Sequence, residues 1–166
     1  VTVHSEHPFL PPPEARDRVR QLRGRLVAPV TIVTAGEDGM TASAVLVMEG
    51  DPPRLAATIN ELADFRDAVE RTQKFVMQVA TQEHRHLSDR FAEISPSPGG
   101  LFHDLTMIET EWGPRIDGFH TWAGCTLETT IAVGYQLLIV GKIDHLVVGD
   151  LDDPLVYFRG RYRKLA

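Results

Sequence analysis

The stretch from Leu26 to Asn60 constrains this chain most. Leu26-Val27-Ala28-Pro29-Val30-Thr31-Ile32-Val33-Thr34, Gly39-Met40-Thr41-Ala42-Ser43-Ala44 and Asp51-Pro52-Pro53-Arg54-Leu55-Ala56-Ala57-Thr58-Ile59-Asn60 are three β-prone segments, punctuated by a Gly turn and a Pro-Pro turn. The middle segment carries small hydroxylated residues in place of bulky ones. A strand built from Thr, Ala and Ser lets something flat approach its backbone, while its hydroxyls and amides supply hydrogen bonds. The pattern is that of a cradle for a flat cofactor.

The rest of the chain predicts more strands than helices. Residues 1–13 end in Pro11-Pro12-Pro13 and read as an extended arm, leaving residues 14–166 as one domain. Glu14–Arg23 reads as a short helix with Val19 and Leu22 as its buried stripe and Gly24 as its cap. Strands are expected over Val30–Thr34, Met40–Met48, Leu55–Ile59, Lys74–Ala80, Met107–Trp112, Gly124–Ala132, Gln136–Val148 and Leu155–Phe158. Two further short helices are expected, one after Asp64 as N-cap with Phe65, Ala68 and Val69 facing inward, the other over His84–Phe91. Gly141 inside a strand marks a bulge or a barrel corner. Without βαβ alternation, these elements make a mainly β protein, a closed antiparallel barrel with helical decoration. Val30, Ile32, Val45, Phe75, Val79, Leu127, Leu138 and Val140 are the expected core.

Charge and composition exclude several functions. With 17 basic against 23 acidic residues the net charge is −6, the wrong sign for a nucleic-acid partner. From Arg16 to Arg25 five arginines meet one aspartate. That run reads first as the solvated face of a helix and second as an anion-binding patch. No apolar run approaches the roughly 20 residues of a membrane helix. The first residues lack the pattern of a signal peptide and Cys125 is the lone cysteine, so a cytoplasmic location is expected.

Candidate chemistry by side chain is sparse. His84 and His86 are two apart, which places them on different helix faces, and no Cys-x-x-Cys or His-Glu-x-x-His pattern occurs, so no metal is expected. Cys125 reads as a buried strand residue rather than a nucleophile. His103 and His120 flank a Gly/Pro-rich region, where a pocket and a surface position are equally open to them. Nucleophile elbow, phosphate-binding loop and dinucleotide fingerprint are all absent from the sequence.

In their order and spacing, Val30–Thr34, Gly39-Met40-Thr41-Ala42-Ser43, Asp51-Pro52-Pro53, Phe75-Val76, Arg90-Phe91-Ala92, Gly141-Lys142-Ile143 and the tail Pro154–Tyr162 resemble the flavin reductase-like family of FMN-binding split barrels. The resemblance runs from about Leu22 to the last residues. It implies a Greek-key split barrel, a homodimer with two flavin sites near its interface, and reduction of flavin by a nicotinamide cofactor. FMN is the implied flavin with FAD also admitted, NAD(P)H is the co-substrate, and a flavin-dependent oxygenase is an expected partner.

By the same resemblance, Met40, Thr41, Ala42, Ser43 and Ala44 lie along the isoalloxazine, and Thr58, Asn60 and Arg66 approach the ribityl phosphate. Phe158, Arg161 and Tyr162 close the active-site side. No catalytic side chain is implied, because hydride transfer to a flavin asks for stacking and hydrogen-bond donors rather than a protein nucleophile. The chain departs from the family pattern at Val47, Glu49, Asp64, Gln136 and Phe158. Phe158 stands where an imidazole is frequent, and its ring offers a stacking surface for nicotinamide. A flavin-binding barrel without nicotinamide turnover is the alternative, and an empty scaffold barrel the third reading.

Overall fold

The computed structural model of the protein describes residues 13–60 and 63–165. The expected arm therefore lies outside the described residues, apart from Pro13, which opens the first helix. The elements run α1 (Pro13–Gly24), β1 (Ala28–Pro29), β2 (Thr31–Ala35), β3 (Asp38–Ala42), β4 (Val45–Met48), β5 (Arg54–Asn60), α2 (Asp64–Thr72), β6 (Lys74–Val79), α3 (Arg85–Phe91), β7 (Met107–Thr110), β8 (Gly113–Ile116), β9 (Trp122–Val133), β10 (Gln136–Val147), β11 (Val156–Phe158) and β12 (Arg161–Arg163). The protein is mainly β, and every strand pair among the described residues is antiparallel.

Seven strands form one sheet in the order β3-β2-β6-β9-β10-β5-β4. Its two edge strands are consecutive in the chain, joined only by Ser43 and Ala44. So short a link spans at most about 11 Å, so the sheet has to curl until its edges approach. At that point the Thr58 N–H donates to the Ala44 carbonyl at 3.2 Å. Ladder hydrogen bonds do not run from β3 to β4, and the sheet stays open there.

The curled sheet encloses Val33, Leu55, Ala57, Ile59, Phe75, Cys125, Leu137 and Ile139, and α2 seals it with Phe65, Ala68 and Val69. A second cluster, including Val30, Ile32, Leu87, Phe91, Phe119 and Leu155, lies on the other side of β2. All five residues of β2 are consequently buried. The start of α3 is anchored to this second cluster. His84 stacks on Phe119 with ring centroids 3.8 Å apart, and its Nδ1 accepts the Thr81 backbone N–H at 3.0 Å.

Several expectations are corrected. Val19 and Leu22 are not a buried stripe but are 60% and 66% exposed, because α1 lies outside both clusters. The expected strand Met40–Met48 breaks at Ser43-Ala44, where the chain crosses from one sheet edge to the other. Asp64 is the first residue of α2 and not its cap; Ala63 takes the cap position without a side-chain hydrogen bond. The expected strand Met107–Trp112 ends at Thr110 and is one arm of a hairpin whose second arm, β8, was not foreseen, nor was β12.

In β10 the inward residues are Leu137 and Ile139, whereas Leu138 and Val140 are half-buried on the opposite face. The continuous apolar run Leu137–Val140 hides the alternation, and only Gln136 shows which parity faces outward. Val45, Val79 and Leu127 are half-buried residues packed against the core rather than within it. Gly141 does mark an irregularity, since the β9–β10 register shifts between Val140 and Gly141.

Two outcomes follow from this packing. A Cβ on Gly141 would lie 2.6 Å from Cζ of the wholly buried Phe75 ring. Gly141→Ala is therefore expected to destabilise the fold by about 1–3 kcal/mol, measured by denaturant unfolding. Burial pulls the His84 pKa below the ordinary histidine value, with Glu83 opposing. The native state then binds fewer protons than the unfolded chain, so this contribution is complete above about pH 6.5 and is lost as pH falls through the lowered value. A melting series from pH 7.5 downward should show that loss, with a flatter decline in His84→Asn.

Candidate active site

A cleft of about 460 Å³ lies between β3, the end of β5, the first turn of α2 and the C-terminal end of α3. Met40, Thr41 and Asn60 line it together with Phe65, Phe91 and Ala63. Its walls stand where they do because α3 presses against β3. The Phe91 ring occupies the space a Cβ on Gly39 would need, at 2.7 Å, and Thr41 Oγ1 donates to the Ser88 carbonyl at 2.7 Å.

The residues singled out in the sequence fall into two groups. Met40, Thr41 and Asn60 line the cleft itself, while Ser43 and Ala44 form the exposed link beside it with half-buried Thr58 bonded to Ala44. Ala42 instead faces the core, where its side chain is buried. Phe158, Arg161 and Tyr162 lie apart on the β11–β12 hairpin, with Phe158 paired to Arg161. That hairpin reaches the cleft's framework through α3: the Arg85 guanidinium lies over the Tyr162 ring at 5.5 Å, and Asp89, the neighbour of Ser88, is close enough to raise the Tyr162 hydroxyl pKa. Burial, reinforced by Asp89, pushes the Tyr162 hydroxyl up to about 12, so it stays protonated near neutral pH.

Electrostatics sort what each part can hold. Asp38, Asp64 and Glu93 line the cleft, and burial first, with Asp64 and Glu37 adding, raises the Asp38 carboxyl above its ordinary value. Arg66 is half-exposed on α2 with Nε 3.0 Å from Glu70 Oε1 and does not line the cleft. The cleft therefore suits an uncharged ring better than a phosphate. Among the described residues, the feature of the cleft favourable to an anion is the start of α2, which has no side-chain cap.

A somewhat larger cavity, about 500 Å³, lies elsewhere and includes His84, His120, Glu83, Asp150, Asp152 and Asp153 in its lining. Sequence reasoning did not foresee it as a cavity, although His120 does face a pocket. Its four carboxylates oppose a phosphate-bearing ligand, and we do not take it as the catalytic cleft despite its size. Among the described residues no three His, Cys, Asp or Glu side chains gather to hold a metal. Cys125 is buried and its thiol is pushed up to about 12, chiefly by burial, so it is not a nucleophile at neutral pH.

Comparison with known proteins places the chain in a family. The flavin reductase like domain matches residues 23–166. The reductase component of 4-hydroxyphenylacetate 3-monooxygenase from Thermus thermophilus is 28% identical over 155 residues, covering 91% of this chain and 97% of its own. An NADH-dependent flavin reductase from Rhodococcus sp. is 27% identical over 157 residues, covering 89% and 85% of the two chains. The solved flavin reductase PheA2 in its native state superposes with a TM-score of 0.82 at 25% identity, over 90% of this chain and 98% of that one. With nearly all of its sheet inside the matched region, the chain belongs to the flavin reductase-like domain family.

Proposed function

We propose that the protein is an NAD(P)H-dependent flavin reductase whose residues 14–166 form one Greek-key split barrel, with FMN as its flavin and FAD also accepted. The observation that carries the reading is the exposed Ser43-Ala44 link, set beside a cleft with the apolar walls Met40, Phe65 and Phe91. A flat ring system can rest there against peptide groups, with no bulky side chain between. The residues present fit such a ring: small side chains on the ledge, Thr41 fixed by Ser88, and Asn60 at the rim. Bound flavin supplies the hydride chemistry from its own ring system. The protein's share is to hold and orient the ring, and the backbone N–H groups at the uncapped start of α2 are donors that a flavin phosphate would accept from. Phe158 offers a face on which nicotinamide can stack.

Names of relatives extend the reading. One curated relative is the reductase component of a monooxygenase, and another is an NADH-dependent flavin reductase. We take a flavin-dependent oxygenase as the consumer of the reduced flavin, in the cytoplasm. No described helix is long and apolar enough to cross a membrane.

The same reading includes a homodimer. Cross-strand partners Leu46, Ala56 and Val140 form one row on the outer face of β4, β5 and β10, and Thr58, Leu138 and Ile131 form the next across β5, β10 and β9. Leu46 is 66% and Ile131 49% exposed. A second copy packed on this face would bury them and lie alongside the Ser43-Ala44 ledge.

Two measurements test this reading. Protein with FMN should oxidise NADH or NADPH well above the free-flavin background, and no excess would leave a flavin-binding barrel without turnover. Sedimentation at micromolar concentration should show a dimer, and Leu46→Glu should shift it toward monomer by placing a charge in the contact. A wild-type monomer would remove the dimer from the account.

A further inference from the structure

We infer that the pocket between the end of α1 and the β11–β12 turn is an anion site for nucleotide phosphates, those of the adenylate half of the nicotinamide dinucleotide. This rests on the reductase reading for the identity of the ligand, though not for the existence of the site. The pocket holds about 370 Å³ and is lined by Arg20, Gln21, Gly24, Arg25, Arg159 and Gly160. Three of the six residues are arginines and none is acidic. That volume takes a pyrophosphate or a ribose phosphate and leaves the rest of a dinucleotide outside.

Apart from the Arg159 contact with the Phe158 ring, no structural role holds these guanidinium groups among the described residues. Elsewhere Arg54, Arg66, Lys74, Lys142 and Lys164 each pair with a carboxylate. Among the described residues Arg20, Arg25 and Arg159 have no carboxylate within ion-pair distance, in a chain with more acids than bases. Capping the helix does not require them either. The carbonyls of Leu22, Arg23 and Gly24 already accept the backbone N–H groups of Arg25, Leu26 and Arg159 at 3.0, 3.1 and 2.9 Å.

The backbone adds an independent observation. Arg159 has φ +51°, a left-handed conformation followed by Gly160 at φ +73°. Two-residue hairpin turns of this kind favour Asn or Gly at the first position, and an arginine there carries a conformational cost. The turn brings the Arg159 Cα to within 3.6 Å of a Cβ built on Gly24, which closes the pocket. The Arg159 guanidinium carbon lies 5.2 Å from the centre of the Phe158 ring. A dinucleotide stacking its nicotinamide on Phe158 therefore has cationic groups within reach of its phosphates, where the acidic cleft by α2 offers none. Guanidinium forks are suited to phosphate oxygens in pairs.

Titration calorimetry at low salt with ADP and 2′,5′-ADP tests the site directly, using wild type, Arg159→Gly and the Arg25→Gln/Arg159→Gly double variant. Glycine suits φ +51°, so Arg159→Gly should keep or raise the melting temperature, and lost binding cannot then be blamed on unfolding. The expected result is adenylate binding to wild type that weakens about tenfold or more in the double variant, with a matching rise in KM for NADH and an unchanged Kd for FMN. If FAD affinity falls with ADP affinity while the NADH KM stays put, the dinucleotide assignment is overturned in favour of flavin adenylate. Wild type binding neither nucleotide, or a double variant binding both as wild type does, overturns the site. Adenylate binding that depends on these arginines in a protein that oxidises no NAD(P)H would uphold the site and end the reductase reading alone.

Discussion

The structure depends on a geometric constraint imposed by two residues. Ser43 and Ala44 are all that connects the two edge strands of a seven-stranded sheet. The sheet has to curl to satisfy so short a link, and the curl creates both the enclosed core and the break in its rim. Small side chains stand at the link, where the two edges and the Thr58 backbone meet. The small exposed residues at which the sheet turns its corner are also the ones that leave peptide groups open to a flat ligand.

Rigidity of that opening comes from α3. Its start is seated by the His84–Phe119 stack, its middle accepts the Thr41 hydroxyl, and its Arg85 lies over the Tyr162 ring. Ledge and tail are separate in sequence, yet both register against one short helix. Charge then divides the work between them. The cleft carries Asp38, Asp64 and Glu93, while the far side of the tail carries Arg20, Arg25 and Arg159. An extended ligand with an uncharged redox ring and anionic phosphates matches that division better than a compact anion does.

Much of this was legible in the sequence, for identifiable reasons. Strands such as Lys74–Val79 and Arg54–Asn60 are bounded by turn residues and rich in apolar residues, so their place and type were read to within a residue or so. The Thr-Ala-Ser pattern marked small side chains around the link, but not that Ala42 turns into the core while Ser43 and Ala44 stay exposed. Parity in β10 was not legible, since an uninterrupted run of Leu137–Val140 carries no alternation and its outward face is itself apolar. The exposure of Val19 and Leu22 was not legible either: helical spacing shows that a stripe exists and not whether anything in the chain covers it. Arg66 pairs with Glu70 one turn along α2, a local contact that the four-residue spacing does allow. The arginine pocket could be suspected from the Arg16–Arg25 run, but its third member arrives from Arg159 at the other end of the chain.

The central claim is that a flavin ring rests on the link where the sheet's edges meet. Amide hydrogen exchange with and without FMN addresses it most directly, because it reports protection residue by residue and needs no turnover. The account predicts slower exchange on FMN addition at Thr41–Val45 and Thr58–Asn60, with little change around His120 and Asp150. Protection confined to the His84 and His120 cavity, with the 41–45 segment unaffected, would contradict it.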